Sequence, residues 1–283
     1  MRMRCAPVFL LCGLLAAPGC LSEPPGPAGP SVVVVHGLGR TPASMLVLAA
    51  RLERAGFDVV RFGYPSRSEP MEALVDLLGE AVAACCGDAG ETTHFVTHSM
   101  GGVLVRSYLA QQPDAHRGRV VMLSPPSGGS EIVDAFADSP MLRSLLGPAG
   151  SALGTDPAAL VHRLGPVRFR LGIIAGDRSL NPITSWIIPG PDDGKVGVER
   201  ARLEGASFLV LPATHTFIMN RRDVAEEIVH FLDHGRFREE EPAAAPRTAR
   251  RAGPRGVSPS RRTARRGGTA GAPRGTPPRA RCA

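Results

Sequence analysis

The stretch FVTHSMGG, residues 95–102, decides the fold. It begins in a short apolar, β-branched run and ends in two glycines that open a longer amphipathic segment. It therefore reads as a buried strand that turns at Ser99 straight into a helix. Small Gly101 and Gly102 let that helix pack close to the strand, so the Ser99 hydroxyl stands free at the edge of a sheet. The helix N-terminus beside it favours developing negative charge. An ordinary helix N-cap also uses serine; the strand-turn-helix setting makes Ser99 a candidate nucleophile instead, with Thr97 in the position where such corners usually carry glycine.

Outward from this corner, short β-branched runs alternate with longer amphipathic stretches. That is the pattern of a parallel sheet covered by helices on both faces. Strands are expected over 31–36, 58–62, 94–98, 119–123, 168–175 and 207–211, and helices over 42–55, 70–86, 100–112 and 224–234. Thr41 as N-cap, Pro42 at the first helical position and Gly56 past the end punctuate the first helix. The expectation is an α/β fold with a minimal, mostly parallel six-stranded sheet. Residues 127–166 break the rhythm with Gly, Pro and small apolar patches, and read as a small lid-like excursion over the C-terminal edge of the sheet.

A serine hydroxyl needs a base within hydrogen-bond reach, and the base needs an orienting partner. His215 follows the last strand in a loop that leads to the last helix, which makes it the candidate base; His98, next to the serine on a strand, is expected to point to the other side. Three carboxylates compete for the third role: Asp193 in the run DGKV, its neighbour Asp192, and Asp177 directly after the fifth strand. HGLGRT, residues 36–41, ends the first strand, and its glycines permit a turn that aims the Leu38 amide, with that of Met100, at a reacting carbonyl oxygen.

These residues together resemble the bacterial lipase/esterase branch of the α/β-hydrolase superfamily, over about residues 32–237. HG-x-G at 36–39 is similar to its oxyanion loop, HSMGG at 98–102 to its elbow, and DGKV to its acid motif, which favours Asp193 over Asp177. The resemblance implies an α/β-hydrolase fold and cleavage of carboxylic esters through an acyl-enzyme, with Ser99, His215 and Asp193 catalytic and Leu38 and Met100 forming the oxyanion hole. It implies no cofactor. Thr216, Phe217 and Ile218 stand where some larger lipases carry calcium ligands, so no metal is expected. Pro125, Pro126, Ile132, Phe136, Met141 and Leu145 are candidate acyl contacts. The substrate is then a small-molecule or lipid acyl ester. An acyltransferase built on the same triad remains open, because only the exclusion of water distinguishes it.

Charge adds a boundary. The formal net charge is +7, but residues 239–283 hold eleven Arg against three Glu, which leaves 22 basic and 23 acidic side chains in residues 1–238. The folded part is not basic, and nucleic acid is not an expected partner. Lys195 is the only lysine. Residues 1–20 read as an export signal, Arg2 and Arg4 preceding a short apolar run, and the sequence at 17–20 resembles a lipoprotein box that would lipidate Cys20 and tether the protein to a membrane. A periplasmic or membrane-anchored protein is expected, with secretion after ordinary cleavage as the alternative. Residues 21–30 form a Pro/Gly-rich linker, 31–238 the folded domain, and 239–283 an Arg/Pro-rich tail with too few large apolar residues to order itself. A non-catalytic surface protein, tethered by Cys20 and binding through that tail, is the competing class. Cys85 and Cys86 are expected to be packing residues at a helix end, with no zinc spacing.

Overall fold

A computed structural model of the protein describes residues 29–86, 93–111 and 118–238. The expected signal, Cys20 and the tail lie outside these residues. Six strands form one sheet: β1 (Ser31–Val35), β2 (Asp58–Phe62), β3 (His94–His98), β4 (Arg119–Leu123), β5 (Arg170–Gly176) and β6 (Ser207–Leu211). The order is β2-β1-β3-β4-β5-β6, and every pairing is parallel rather than mostly so. Buried β-branched residues at successive positions of β1 fit such a sheet, because both of its faces are covered.

Strand alternation divides the core in two. Val33, Val35, Phe95, Val120, Met122 and Ile173 face α2 (Met71–Cys86) and α3 (Met100–Gln111). Val32, Val34, Val96, Val121, Leu123 and Ile174 face α1 (Leu46–Arg54) and α9 (Arg222–His234). Full burial of each such side chain contributes about 1.5–3 kcal/mol. The chain reverses its direction of winding between β1 and its neighbours β2 and β3, so the crevice at their C-terminal ends is the natural ligand position in an open parallel sheet.

The sequence placed the first helix at 42–55. Instead a 3-10 turn at Pro42–Met45 precedes α1, and Thr41, though extended, makes no side-chain capping bond. The Ser44 amide and hydroxyl both donate to the Thr41 carbonyl, at 3.0 and 2.7 Å. Gly56 does end the segment, at φ 95°.

The excursion after β4 is built of α4 (Glu131–Phe136), α5 (Pro140–Ser151), broken at Gly147–Pro148, and α6 (Leu160–Arg163). Val133, Ala149, Leu153 and Val161 bury into the core on the α2/α3 face, so it is anchored rather than loose. Asp134 ties α4 to the loop between α5 and α6 by accepting from the Thr155 amide (3.0 Å) and hydroxyl (2.6 Å). Short α7 (Pro182–Ile187) and α8 (Val198–Ala201) lie between β5 and β6. Cys86 packs in the core as expected, whereas Cys85 is exposed, and the two sulfurs are joined in a vicinal disulfide.

Candidate active site

Ser99 sits between β3 and α3 with φ 55°, a left-handed conformation that is rare for a side-chain-bearing residue and costs of the order of 1–3 kcal/mol. The surroundings hold it there. Its amide donates to the Leu123 carbonyl of β4 (2.9 Å), and its carbonyl accepts from the Gly102 amide (2.9 Å). The glycines that follow are required by contact. A Cβ on Gly101 would lie 2.6 Å from the His36 carbonyl oxygen and 2.8 Å from that of Val35. One on Gly102 would lie 3.2 Å from Thr97 Oγ1, so the threonine at the usual glycine position fills space that α3 leaves open.

His215 connects two of the expected residues. Its Nδ1–H donates to Asp193 Oδ2 at 2.8 Å, which leaves Nε2 to accept from the Ser99 hydroxyl at 3.0 Å. Both His215 and Asp193 are buried. The acid is fixed by its own turn: Asp193 Oδ1 accepts from the Lys195 and Val196 amides at 3.0 and 2.9 Å, and the His215 amide donates to the Asp193 carbonyl at 2.9 Å. Burial opposes a charge on Asp193. The charge and hydrogen bond of His215, the Ser124 hydroxyl and the Val196 amide outweigh it and hold the carboxyl below its usual range.

The rival carboxylates stand elsewhere. Asp192 Oδ1 accepts from the Gly194 amide (2.7 Å) and Ser185 hydroxyl (2.9 Å), building the turn rather than touching the histidine. Asp177 pairs with Arg178 at 3.1 Å.

His98 requires a correction. It follows Val96 onto the α1/α9 face, as strand alternation demands, but this does not remove it from the site. The loop after β6 folds over that face, and His98 Nε2–H donates to the His215 carbonyl at 2.9 Å, the two rings 4.7 Å apart. Burial, then the charges of His215 and Arg40, push the His98 pKa well down, so the ring is neutral. Ser124 is a second such residue. It has φ 45° at the end of β4, and its hydroxyl accepts from the Gly176 amide at 3.3 Å on the way to Asp193. Neither residue carries a motif, and only their three-dimensional neighbours reveal them.

The HG loop lies against the elbow: a Cβ on Gly37 would meet His98 Nδ1 at 2.9 Å and Ser99 Cβ at 3.0 Å. Tyr64 pins the loop by donating to the His36 carbonyl (2.6 Å) while stacking on the His36 ring at 4.3 Å. Among the described residues the amides of Leu38 and Met100 have no hydrogen-bond acceptor within the protein, and both residues line the cavity at Ser99.

That cavity has a volume of about 270 Å³. Pro126, Ile132 and Phe136 line it as expected, joined by Val133, Leu146 and Leu153. Pro125 does not line it and packs instead at Gly102. Met141 and Leu145 are 72% and 51% exposed, because they share the outer face of α5 at i, i+4 spacing. Among the described residues no group of three or more His, Cys, Asp or Glu is placed to hold a metal ion.

Similarity to solved structures agrees with this architecture. The mature lipase BlEst2 of Bacillus licheniformis matches with a TM-score of 0.55 at 20% identity, over 70% of this chain and 89% of that one. The metagenomic carboxyl esterase MGS0156 matches at 0.52 and 24% identity, over 73% and 71%. Aspergillus fumigatus lipase B matches at 0.54 and 16% identity, over 77% of this chain and 55% of that one, so this chain spans little more than half of the fungal enzyme. No protein-family model and no curated protein sequence matches. The chain has the α/β-hydrolase fold, as the motifs anticipated.

Proposed function

We propose that the protein is a serine hydrolase that cleaves carboxylic esters through an acyl-enzyme on Ser99. One observation carries the reading: a single buried imidazole contacts the Ser99 hydroxyl through Nε2 and the Asp193 carboxylate through Nδ1. As Ser99 Oγ attacks the ester carbonyl, its proton passes to His215 Nε2, and the Asp193 carboxylate stabilises the resulting imidazolium without taking the proton. The carbonyl oxygen becomes an oxyanion, for which the unengaged amides of Leu38 and Met100 are the donors; one such donor is worth roughly 3 kcal/mol of barrier. His215 then returns the proton to the departing alkoxide, and the same residues activate water to release the acid.

A fluorophosphonate probe tests this directly. Covalent label on Ser99, located by mass spectrometry and abolished in Ser99→Ala, together with turnover of p-nitrophenyl butyrate, supports the assignment. A folded protein without label and without turnover removes it and favours the non-catalytic surface protein. Adding an alcohol acceptor during turnover separates hydrolysis from acyl transfer: product that remains free acid supports the hydrolase. We also propose export by residues 1–20 with Cys20 lipidated, read out as a mass increment at the mature N-terminus that Cys20→Ala removes.

A further inference from the structure

The cavity beside Ser99 is electrically one-sided. Arg40 and Lys195 line it, and among the described residues no aspartate or glutamate does. Arg178, Arg200, Arg202, Arg221, Arg222 and Arg238 each stand against a carboxylate. Among the described residues neither Arg40 nor Lys195 has such a partner.

Both cations are carried by segments that also build the catalytic arrangement. Arg40 ends the HGLG turn, and its Nη2 donates to the Thr216 carbonyl at 3.3 Å, which directs the guanidinium to the loop of His215. Lys195 rides on the acid's turn, its amide bound to Asp193 Oδ1. The carboxylate that pulls on Lys195, Asp193, is already engaged by His215 and two amides. Burial first and then the charge of Arg40 press the Lys195 ammonium below its ordinary pKa, against the pull of Asp193. Two like charges facing one cavity repel each other, and an anion bound between them relieves that repulsion. The apolar lining comes from different segments: Ile132, Val133 and Phe136 from α4, Leu146 from α5, and Leu153 just beyond it.

We infer that the site selects esters with an apolar acyl chain, held against α4 and α5, and an alcohol portion bearing a phosphate or carboxylate, held by Arg40 and Lys195. The inference rests on the ester-hydrolase reading. Cations that merely stabilised the oxyanion would act on every ester alike, so the quantity to follow is a ratio of substrates.

The full chain is assayed on two butyryl esters of o-nitrophenols, neutral o-nitrophenyl butyrate and anionic 4-nitro-3-butyryloxybenzoate, as wild type, Arg40→Gln, Lys195→Gln and the double variant. The wild type is expected to have the higher kcat/KM for the anionic ester at low salt. Each substitution is expected to lower the anionic-to-neutral ratio by about 1.5-fold to fivefold, the range for an exposed or half-exposed charge pair. Any loss common to both esters cancels in the ratio. Raising the salt concentration is expected to lower the wild-type ratio toward that of the double variant. Competition by dissolved glycerol 3-phosphate identifies a free phosphate-bearing alcohol as the preferred portion, and competition by phosphatidylglycerol vesicles identifies a lipid headgroup; in either case it must weaken in the double variant. Equal kcat/KM for the two esters, or a ratio unmoved by the substitutions, overturns the inference and leaves the hydrolase reading intact. Absence of turnover on both esters, with no fluorophosphonate label, overturns both.

Discussion

His98 holds His215 by its backbone: the imidazole Nε2–H of the residue before the nucleophile donates to the carbonyl of the candidate base at 2.9 Å. One strand end thus positions the serine by its own backbone turn and the base by the preceding side chain. Removing the donor leaves the His215 carbonyl unsatisfied in a buried setting, a loss of about 1–3 kcal/mol. His98→Ala is expected to lower kcat about tenfold with KM nearly unchanged, because the base loses its position rather than the cavity its shape. His98→Asn, which keeps a side-chain amide donor, is expected to recover part of that loss. Equal kcat in His98→Ala and wild type would show that the contact does not position the base.

The three carboxylates make separate predictions. Asp193→Asn keeps the size of the side chain but removes the acceptor that selects the Nδ1–H tautomer of His215, and kcat is expected to fall about 10⁴-fold. Asp177→Asn, away from the histidine and paired with Arg178, is expected to leave kcat within about twofold. Asp192→Asn loosens the turn that carries Asp193, so its effect should appear first in thermal stability. Steady-state kinetics on p-nitrophenyl butyrate, with melting curves, checks all three; an Asp177→Asn loss as large as that of Asp193→Asn would reassign the acid.

Much of this arrangement was legible in the sequence because it depends on local rules. Four of the six strands, 58–62, 94–98, 119–123 and 207–211, have the bounds that β-branched runs imply. The Ser99 corner follows from a strand, a small turn and two glycines. What escaped depends on where distant loops fall. His98 obeys the alternation expected of it, yet sequence cannot say that the loop after β6 lands on that face. Ser124 lacks any motif and matters only because β4 ends beside the acid. Met141 and Leu145 are as apolar as Leu146, and only the rotation of α5, which turns Leu146 to the cavity and leaves the other two exposed, distinguishes them.

Acid should destabilise the fold through histidines buried neutral. His94 accepts from the Arg119 amide at 2.8 Å, and burial first, then the Arg119 charge, lower its pKa from 6.5 to about 4. Between those values the unfolded chain binds a proton that the folded one does not, so the stabilisation is full above about pH 6.5 and is lost as the pH falls toward 4. His98 and His36, both depressed chiefly by burial, act in the same direction. The Asp193 carboxyl, held below its usual value, adds a loss at lower pH, below about 4. Urea midpoints are expected to hold between pH 7.5 and about 6.5 and to fall from there to pH 4, and His94→Gln, which cannot charge, to show a shallower fall. A wild-type midpoint flat across that range would show that these histidines titrate alike in the folded and unfolded chains.

Gly37 and Gly101 separate two ways in which a methyl group can disturb the same corner. A Cβ on Gly101 meets backbone atoms only 2.6 and 2.8 Å away, the carbonyl oxygens of His36 and Val35, and β1 cannot withdraw without breaking its pairing with β3. Overpacking of this kind costs about 1–3 kcal/mol or more, which in a domain of this size lowers Tm by roughly 3–10 °C. On Gly37 the new atom meets His98 Nδ1 at 2.9 Å, which can yield by a small rotation of the ring, and Ser99 Cβ at 3.0 Å, which is fixed to the backbone of the nucleophile. That rotation turns His98 away from the His215 carbonyl and shifts the loop that carries the Leu38 amide, so the damage falls on catalysis. Gly101→Ala is therefore expected to lose Tm out of proportion to the kcat of its folded fraction, and Gly37→Ala to lose kcat by about ten- to a hundredfold with a Tm change of a few degrees at most. Active-site titration with the fluorophosphonate, which counts folded sites before kcat is calculated, keeps the two effects apart. A Gly37→Ala protein with wild-type kcat per titrated site would show that the HG loop can move away from the elbow at no cost to the chemistry.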